Sequence, residues 1–336
     1  MASNSELDVA EVQAFRLRGF TLLRIKTRSG IEGHGECRAA SPEDLAFART
    51  QMVGKPATAY EVIGQALAAR PALRAGVDMA LLDIIGKAAK APVYQVLGGP
   101  TRFKVRALAP LEGDSDEALA ASLRRAEAAG FRCHTVPLPP ARARSQAFVE
   151  ATKRRLESLR QAGSSDTNFV LDGAGELPPA AAASLCAALE RFHLLWFDEP
   201  CRWTDPRAVS RLAAENVTPV GFGRRIGDCG VFQDLLRESA VDVLRPDIRM
   251  HGISQIRRLA VIAETYYVAV APYHDGGPIG TAAGLHLAAS LPNSFAVEMP
   301  AAAGTVKDGY AELPRGPGLG VVVDQEFIEK HKEQRS

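Results

Sequence analysis

The sequence predicts an α/β fold: a modified TIM barrel of the (β/α)7β type, with an N-terminal α+β capping domain that the C-terminal tail completes. The chain has 336 residues, and this length accommodates a barrel of about 250 residues and a modest second domain. From Phe103 onward, short apolar runs alternate with amphipathic helical stretches at an even spacing. This alternation is typical of a parallel sheet, and eight such runs predict closure into a barrel.

Each predicted barrel strand is a short apolar run flanked by helical stretches or turn residues. The eight runs are 103–109, 131–136, 169–172, 194–198, 219–222, 241–244, 268–271 and 295–298. No helical pattern follows the eighth run, and a tail rich in Gly and Pro leads instead to the apolar run 321–323. We expect this tail to return to the first domain. The predicted division is a capping domain at 1–100, a barrel domain at 101–300 and a tail at 301–336.

The first hundred residues predict an α+β unit of their own. Three stretches alternate apolar with polar residues, which indicates an antiparallel meander. Helical patterns follow and end near a Gly-Gly-Pro break at 98–100. The loop after Glu36 is short, which would leave the barrel mouth more open. The predicted strands are 7–18, 21–28 and 32–36, and the predicted helices are 42–53, 59–69 and 72–89.

Composition argues against several classes of protein. Hydrophobic residues make up 46% and charged residues 24% of the chain, which is typical of a globular protein and not of a disordered or membrane protein. The net charge of +1 argues against a nucleic-acid surface, so we interpret the basic residues 153–155, Arg142 and Arg144 as solvated helix faces. No apolar stretch approaches the roughly 20 residues of a membrane helix. Five scattered cysteines fit a reducing compartment, so we expect a cytoplasmic protein that binds neither nucleic acid nor membrane.

The chemistry of such a barrel lies at the C-terminal ends of its strands. Asp172 ends the third predicted strand, and Glu199 follows the fourth. Two carboxylates at neighbouring strand ends cannot both ionise cheaply unless a cation lies between them, and a hard divalent ion such as Mg²⁺ is the usual partner. The alternative is that either acid caps the following helix or pairs with an arginine. Further candidate side chains at these ends are Arg224, Arg225, Arg245, Asp247, Tyr273, His274 and Glu298.

Stretches along nearly the whole chain resemble the mandelate racemase and muconate lactonizing enzyme type of the enolase superfamily. They are 33–36, 80–87, 92–99, 170–175, 196–200, 245–247, 277–279, 286–293 and 308–320. The resemblance implies a lyase or isomerase reaction that begins with removal of the proton next to a carboxylate, while Mg²⁺ holds the resulting enediolate. It also implies a small-molecule carboxylate as substrate, and a homo-oligomer.

By this resemblance, Asp172 and Glu199 are two of three acidic metal ligands. The third position, on the fifth strand, holds Arg224, so that a cation replaces a metal ligand. Binding of Mg²⁺ would then need a further acid, such as Asp228 or Asp247.

The base positions depart from the family as well. On the second strand, Thr135 and Pro137 stand where the family commonly places a lysine pair. Asp247 matches an aspartate that orients a histidine on the seventh strand, but His274 comes one residue late and Tyr273 stands in its place. Because a one-residue slip reverses the direction of a strand side chain, both remain candidate bases.

Two functions remain open. The first is a divergent enzyme of the mandelate racemase type, a dehydratase or epimerase of a hydroxy acid or acid sugar, in which Glu298 matches the acid that helps to hold the substrate carboxylate. The second is a metal-free, non-catalytic or regulatory binder of an anionic small molecule, with Arg224 in the place of the metal. The candidate anion-binding residues are Arg224, Arg225 and Arg245.

The glycine-rich run 221–227 also resembles a dinucleotide-binding loop. Its last glycine comes one place late, and the run lies in the middle of the barrel pattern and not at the start of a doubly wound domain. We therefore do not expect a dinucleotide cofactor.

Overall fold

The N-terminal sheet is an antiparallel meander. The computed structural model describes residues 4–140, 146–203, 206–301 and 305–331. In the sheet, β1 (Val9–Leu17), β2 (Phe20–Thr27) and β3 (Glu32–Cys37) pair in that order. Gly19, in the tight turn between β1 and β2, has a φ of 82°, a left-handed conformation that glycine adopts without strain. The predicted meander is confirmed.

Helices cover one side of this sheet. They are α1 (Pro42–Met52), α2 (Tyr60–Ala66), α3 (Pro71–Ala88) and α4 (Val93–Val96). α1 begins with a capping box, because the Ser41 hydroxyl accepts a hydrogen bond from the Asp44 amide and the Asp44 carboxylate accepts one from the Ser41 amide, both at 3.0 Å. α3 lies between the sheet and the barrel, which explains why most of its residues are buried.

Two glycines of β3 allow α3 to lie directly on the strand. A Cβ atom on Gly35 would come within 1.8 Å of the Gly76 carbonyl oxygen, and one on Gly33 within 2.1 Å of the Ala80 carbonyl oxygen. Backbone therefore packs on backbone, and this contact fixes where the end of β3 lies above the barrel.

The barrel strands are parallel neighbours in chain order. They are β4 (Lys104–Pro110), β5 (Cys133–Pro137), β6 (Asn168–Asp172), β7 (Phe197–Asp198), β8 (Val220–Phe222), β9 (Val243–Leu244), β10 (Ala269–Val270) and β11 (Val297–Glu298). The helices between them are α5 (Asp116–Ala128), α6 (Gln146–Ala162), α7 (Pro179–Leu189), α8 (Pro206–Glu215), α9 (Cys229–Arg237), α10 (Ile248–Thr265) and α11 (Pro278–Ser290). Each predicted strand has an observed counterpart, although several paired segments are shorter than the apolar runs.

The last strand closes the ring. β11 pairs in parallel with β4. On its other side, the segment that leads into β11 is bonded to β10, because the Phe295 amide donates to the Val270 carbonyl at 2.8 Å and the Val270 amide donates to the Asn293 carbonyl at 2.9 Å. The predicted (β/α)7β barrel is therefore confirmed.

Strand alternation decides which side chains reach the barrel mouth. The interior is filled by one apolar layer of Leu108, Cys133, Val170, Trp196, Val243, Ala271 and Ala296. Because alternate residues of a strand face the same side, the residue two places further along each strand also faces inward, towards the mouth. These positions hold Pro110, Thr135, Asp172, Asp198, Arg245, Tyr273 and Glu298.

The C-terminal tail contacts both parts of the molecule. β12 (Val306–Lys307) and β13 (Tyr310–Glu312) form a hairpin that adds to β4 in the antiparallel sense. The Leu319 amide then donates to Asp83 of α3 at 2.8 Å, and α12 (Gln325–His331) ends at the turn after β1. The tail thus returns to the capping unit, as expected, although its run 321–323 forms no strand. The domain limits at 100 and 300 stay predictions.

One surface assignment from the sequence is wrong. Arg155 is buried, where it bonds to Asp116 at 2.7 Å and donates to the Pro137 carbonyl at 2.8 Å. Its position on α6 faces α5, so an ion pair compensates the burial of its charge. Arg142 and Arg144 lie outside the described residues. Among the helices that the structure describes, none combines the length and apolar character of a membrane-spanning segment.

We predict that Gly35→Ala lowers the free energy of unfolding by about 1–3 kcal/mol or more, because the new methyl group overlaps the Gly76 carbonyl. The matched control is Gly64→Ala in α2, where a Cβ atom meets nothing within 4 Å. That change should stabilise the helix by about 0.5–1 kcal/mol. Urea unfolding of both variants is the measurement, and equal stabilities would contradict the packing of α3 on β3.

Candidate functional site

A fully buried arginine lies beneath the barrel mouth. Arg245 follows β9 and has no exposed surface. Its Nε atom lies 3.2 Å from Asp198 Oδ1, Nη1 donates to the Ala271 carbonyl at 2.7 Å, and Nη2 donates to Glu298. Arg245, predicted to bind an anion, is thus occupied by acids of its own chain and has no surface that a ligand reaches.

A second guanidinium group, that of Arg224, lies above the first. Its Nη2 atom donates to Asp172, its Nε atom lies 3.2 Å from Asp198 Oδ2, and its Cζ atom lies 5.1 Å from the ring centre of Tyr273. Burial alone would lower the pKa of Arg224, but the charges of Asp198 and Asp172 outweigh this effect and raise it. Arg224 is therefore a permanent cation between two carboxylates.

Glu199 does not take part in this contact. Its Oε1 atom accepts hydrogen bonds from the backbone amides of Gly223 at 2.8 Å and Arg224 at 2.9 Å. Burial, followed by the charge of Asp198, raises the pKa of Glu199. The loop amides that could have held a phosphate are thus occupied by a side chain of the protein itself.

Asp198, not Glu199, is brought against Asp172 and Arg224. The sequence signal for the place of Asp198 is the alternation along the fourth strand: Trp196 faces the barrel interior, so Asp198 faces inward as well. Glu199 follows the strand with a φ of 44°, and its carboxylate accepts the amides of the loop after β8. The assignment of Glu199 to a metal site stays a prediction.

The donor set at the mouth does not fit a magnesium ion. The two carboxylates that converge, those of Asp172 and Asp198, both contact the Arg224 guanidinium. Asp172 Oδ1 also accepts the Ala174 amide at 2.8 Å. Mg²⁺ prefers octahedral oxygen ligands, and the described part of the chain contains no group of three or more His, Cys, Asp or Glu residues that could hold a metal.

The two acids considered as replacement ligands are engaged elsewhere. Asp228 caps α9 by accepting the Gly230 amide at 2.8 Å. Asp247 is fully buried; one of its oxygens accepts the Arg249 amide at 2.8 Å and the other accepts Arg38 Nε at 3.0 Å. Asp247 therefore does not orient a histidine, and its lone pairs are used by Arg38 and α10.

His274 faces the capping unit and not the barrel mouth. Its Nε2 atom lies 2.8 Å from the Gly277 carbonyl, so Nε2 carries the proton, and it lies 4.0 Å from Glu36 Oε1. Glu36 in turn accepts the Gly277 amide at 2.7 Å and the Gly280 amide at 3.1 Å at the start of α11. Burial lowers the pKa of His274, so the neutral ring is part of the contact between the two units.

Tyr273 occupies the inward-facing position at the end of the seventh strand. Its ring centre lies 5.1 Å from Arg224 Cζ and 5.8 Å from Arg245 Cζ. Burial, followed by the charge of Glu298, raises the pKa of Tyr273 above its ordinary value near 10. At neutral pH the phenol is protonated, which makes it a hydrogen-bond donor and a poor base.

The remaining candidates differ in their accessibility. Thr135 Oγ1 is buried and has no hydrogen-bond partner among the described residues. Glu298 is buried against Arg245, and burial raises its pKa. Arg225 is exposed, so of the three arginines predicted to bind an anion it is the one most open to a ligand.

Comparisons with known proteins agree with this architecture. The model for the enolase C-terminal domain-like region matches residues 117–327, and the model for the mandelate racemase/muconate lactonizing enzyme N-terminal domain matches residues 9–98. D-galactonate dehydratase from Ralstonia pickettii (strain 12J) is 31% identical over 284 residues, which cover 77% of this chain and 73% of that protein. The chain belongs to the mandelate racemase/muconate lactonizing enzyme family.

Two further proteins extend the comparison. D-xylonate dehydratase from Haloferax volcanii is 24% identical and covers 97% of this chain and 89% of its own length. An enolase from Agrobacterium radiobacter, described as a putative galactarate dehydratase with Na and L-malate bound, superposes with a TM-score of 0.89 at 25% identity, over 98% of this chain and 97% of that one. The prediction of an enolase-superfamily lyase or isomerase is confirmed at the level of the family.

We predict that Arg245→Met lowers the free energy of unfolding by about 3–5 kcal/mol, because it leaves Asp198 and Glu298 buried without their partner. The control is Arg258→Met, which removes an ion pair with Glu61 between two half-exposed side chains and should cost less than about 1 kcal/mol. Chemical denaturation gives both values. If Arg245→Met lowers the free energy of unfolding as little as Arg258→Met does, the buried ion pairs of Arg245 with Asp198 and Glu298 are contradicted.

Proposed function

We propose that the barrel mouth binds an acid sugar or a related hydroxy carboxylate without a divalent metal, with Arg224 in the place of the metal ion. The observation that carries the proposal is the Arg224 guanidinium between Asp172 and Asp198. The relatives support the ligand class, since they are named as dehydratases of D-galactonate and D-xylonate. A cation fixed at this point supplies the positive charge that a carboxylate ligand needs.

The proposed site offers both kinds of contact that a hydroxy carboxylate needs. The exposed Arg225 is the more open donor for the carboxylate, and Arg224, whose side chain is 10% exposed, is the second. Asp172, whose side chain is 20% exposed, accepts hydrogen bonds from ligand hydroxyls. Tyr273, protonated at neutral pH, donates one more. The raised pKa values of Arg224 and Tyr273 mean that both groups make these contacts in their protonated forms.

Proton abstraction next to the carboxylate has less support from the geometry. Tyr273 is a poor base because its pKa is raised, Asp247 is occupied by Arg38 and an amide, and Glu298 is bound to Arg245. His274 faces the capping unit. Each candidate base is thus protonated, engaged or turned away, and the family reaction lacks a free base among the residues that we assigned to it.

A second candidate function is favoured by the relatives. At 31% identity over most of the chain, a D-galactonate dehydratase is similar to this protein, which supports a lyase or isomerase that acts on an acid sugar as a dehydratase or epimerase. A homo-oligomer and a cytoplasmic location also remain proposals, since they rest on the resemblance and on composition.

We predict that the metal-stripped protein binds an acid sugar such as D-galactonate with an affinity that Mg²⁺ does not change, and that it gives no calorimetric signal with Mg²⁺ alone. Arg224→Glu should create Mg²⁺ binding, because it supplies a third carboxylate beside Asp172 and Asp198. The measurement is titration calorimetry. The control is Arg225→Glu, which makes the same charge change at the adjacent, exposed residue and should create no metal site.

Three results would decide against the proposal. Tight Mg²⁺ binding by the unchanged protein would mean that other groups complete a metal site. Failure of every acid sugar to bind would remove the ligand class. Product formation or exchange of the proton next to the carboxylate in D₂O, followed by NMR, would establish the enzyme as the correct candidate.

A further inference from the structure

We propose that Arg38, a residue of the capping unit, contacts the ligand carboxylate at the barrel mouth, and that Asp247 is the residue that positions it. The inference rests on the proposed acid-sugar site and deepens it, because it assigns a ligand contact outside the barrel. No sequence pattern points to Arg38, and the sequence predicts Asp247 only as a partner of a catalytic histidine or as a metal ligand.

Arg38 lies where the capping unit meets the mouth. It is the first residue after β3 and its side chain remains 43% exposed, yet its Nε atom is 3.0 Å from Asp247 Oδ2, at the end of the sixth barrel strand. Nη2 contacts the same oxygen and lies 3.8 Å from Asp275 Oδ1. Two acids of the barrel thus hold an exposed arginine of the cap over the site.

One nitrogen of this guanidinium group remains available. Nε and Nη2 are directed at Asp247, whereas no described residue accepts a hydrogen bond from Nη1. Arginine presents several N–H groups in a fixed fork, so holding one edge against an acid orients the other edge for a second anion. A carboxylate is the group that matches this edge.

The environment of Asp247 explains why it serves the arginine and not a proton transfer. Asp247 is completely buried, and both of its oxygens already accept hydrogen bonds, from Arg38 and from the Arg249 amide. A buried carboxylate is tolerated when it is paired in this way. Asp247 therefore serves as the partner of Arg38 and has no exposed oxygen for a ligand.

The charged side chains around this pair balance one another in number. Arg249 pairs with Asp275, so the group of Arg38, Asp247, Arg249 and Asp275 contains two positive and two negative side chains. Burial raises the pKa of Tyr273, and this is the larger effect. The positive charges of Arg224 and Arg38 both act in the opposite direction and lower that pKa. Asp247, which binds Arg38, forms a β-bridge with Tyr273, so Arg38 lies beside the strand end that carries this tyrosine.

The test compares a charged ligand with a neutral one. Calorimetry with D-galactonate and with D-galactose, which lacks the carboxylate, is run on the full chain and on Arg38→Gln. We expect Arg38→Gln to weaken D-galactonate binding roughly ten- to a hundredfold, which is the usual effect of removing a hydrogen bond to a charged group. Any binding of D-galactose should not change. Arg38→Lys should restore part of the affinity, because it restores the charge without the fork.

Two further variants separate ligand binding from folding. Arg38→Gln leaves Asp247 buried without its partner, so the double variant Arg38→Gln/Asp247→Asn restores a neutral, hydrogen-bonded pair and should fold yet bind D-galactonate as weakly as the single variant. Asp247→Asn alone should weaken binding less, because Arg38 remains but is no longer held. Arg28→Gln, which removes an exposed arginine that lies 3.9 Å from Asp8 in the capping unit, should bind as the unchanged chain does.

The outcomes distinguish the two proposals. D-galactonate binding that Arg38→Gln and the double variant leave unchanged would overturn the role of Arg38 while the acid-sugar site stands. An equal loss for D-galactonate and D-galactose would overturn it as well, since a carboxylate contact cannot affect the neutral sugar. Absence of binding to the unchanged chain by D-galactonate and D-xylonate alike would overturn the acid-sugar site, and the role of Arg38 with it.

Discussion

The barrel mouth depends on one buried ion cluster, in which Asp198 and Glu298 enclose the Arg245 guanidinium. Charges removed from water are tolerated when they are paired and hydrogen-bonded, and they are costly when a partner is lost. Asp198 also contacts Arg224, so the buried pair fixes the second guanidinium above it. The positions of Tyr273 and Asp172 follow, because both lie against these cations.

This ion cluster determines which chemistry is available at the barrel mouth. The barrel, the cap and the returning tail superpose on family members over nearly the whole chain, but a fold does not carry a reaction without the groups at its site. Here a permanent cation stands between the converging acids, and the inward position of the seventh strand holds a phenol. The capping unit contributes Arg38 to the same mouth. The arrangement suits recognition of an anion more directly than removal of a proton.

The fold could be predicted from the sequence, because hydrophobic periodicity and the regular alternation of strand and helix patterns determine it. The barrel strands, the meander and the replacement at Arg224 could all be predicted. The site was harder, because a one-residue change of phase decides whether Tyr273 or His274 faces the barrel mouth, and a resemblance does not fix that phase. The burial of Arg245 and the contact between Arg38 and Asp247 could not be predicted, since the latter joins residues 209 positions apart.

The central claim, that Arg224 stands where family members place a metal, is tested most directly by a crystal structure. Crystals grown in the presence of Mn²⁺, a stand-in for Mg²⁺ with a measurable anomalous signal, would show the mouth and any bound metal together. Our account predicts the Arg224 guanidinium between Asp172 and Asp198, with no anomalous peak there. A manganese peak bound to both carboxylates, with Arg224 turned out of the site, would contradict it.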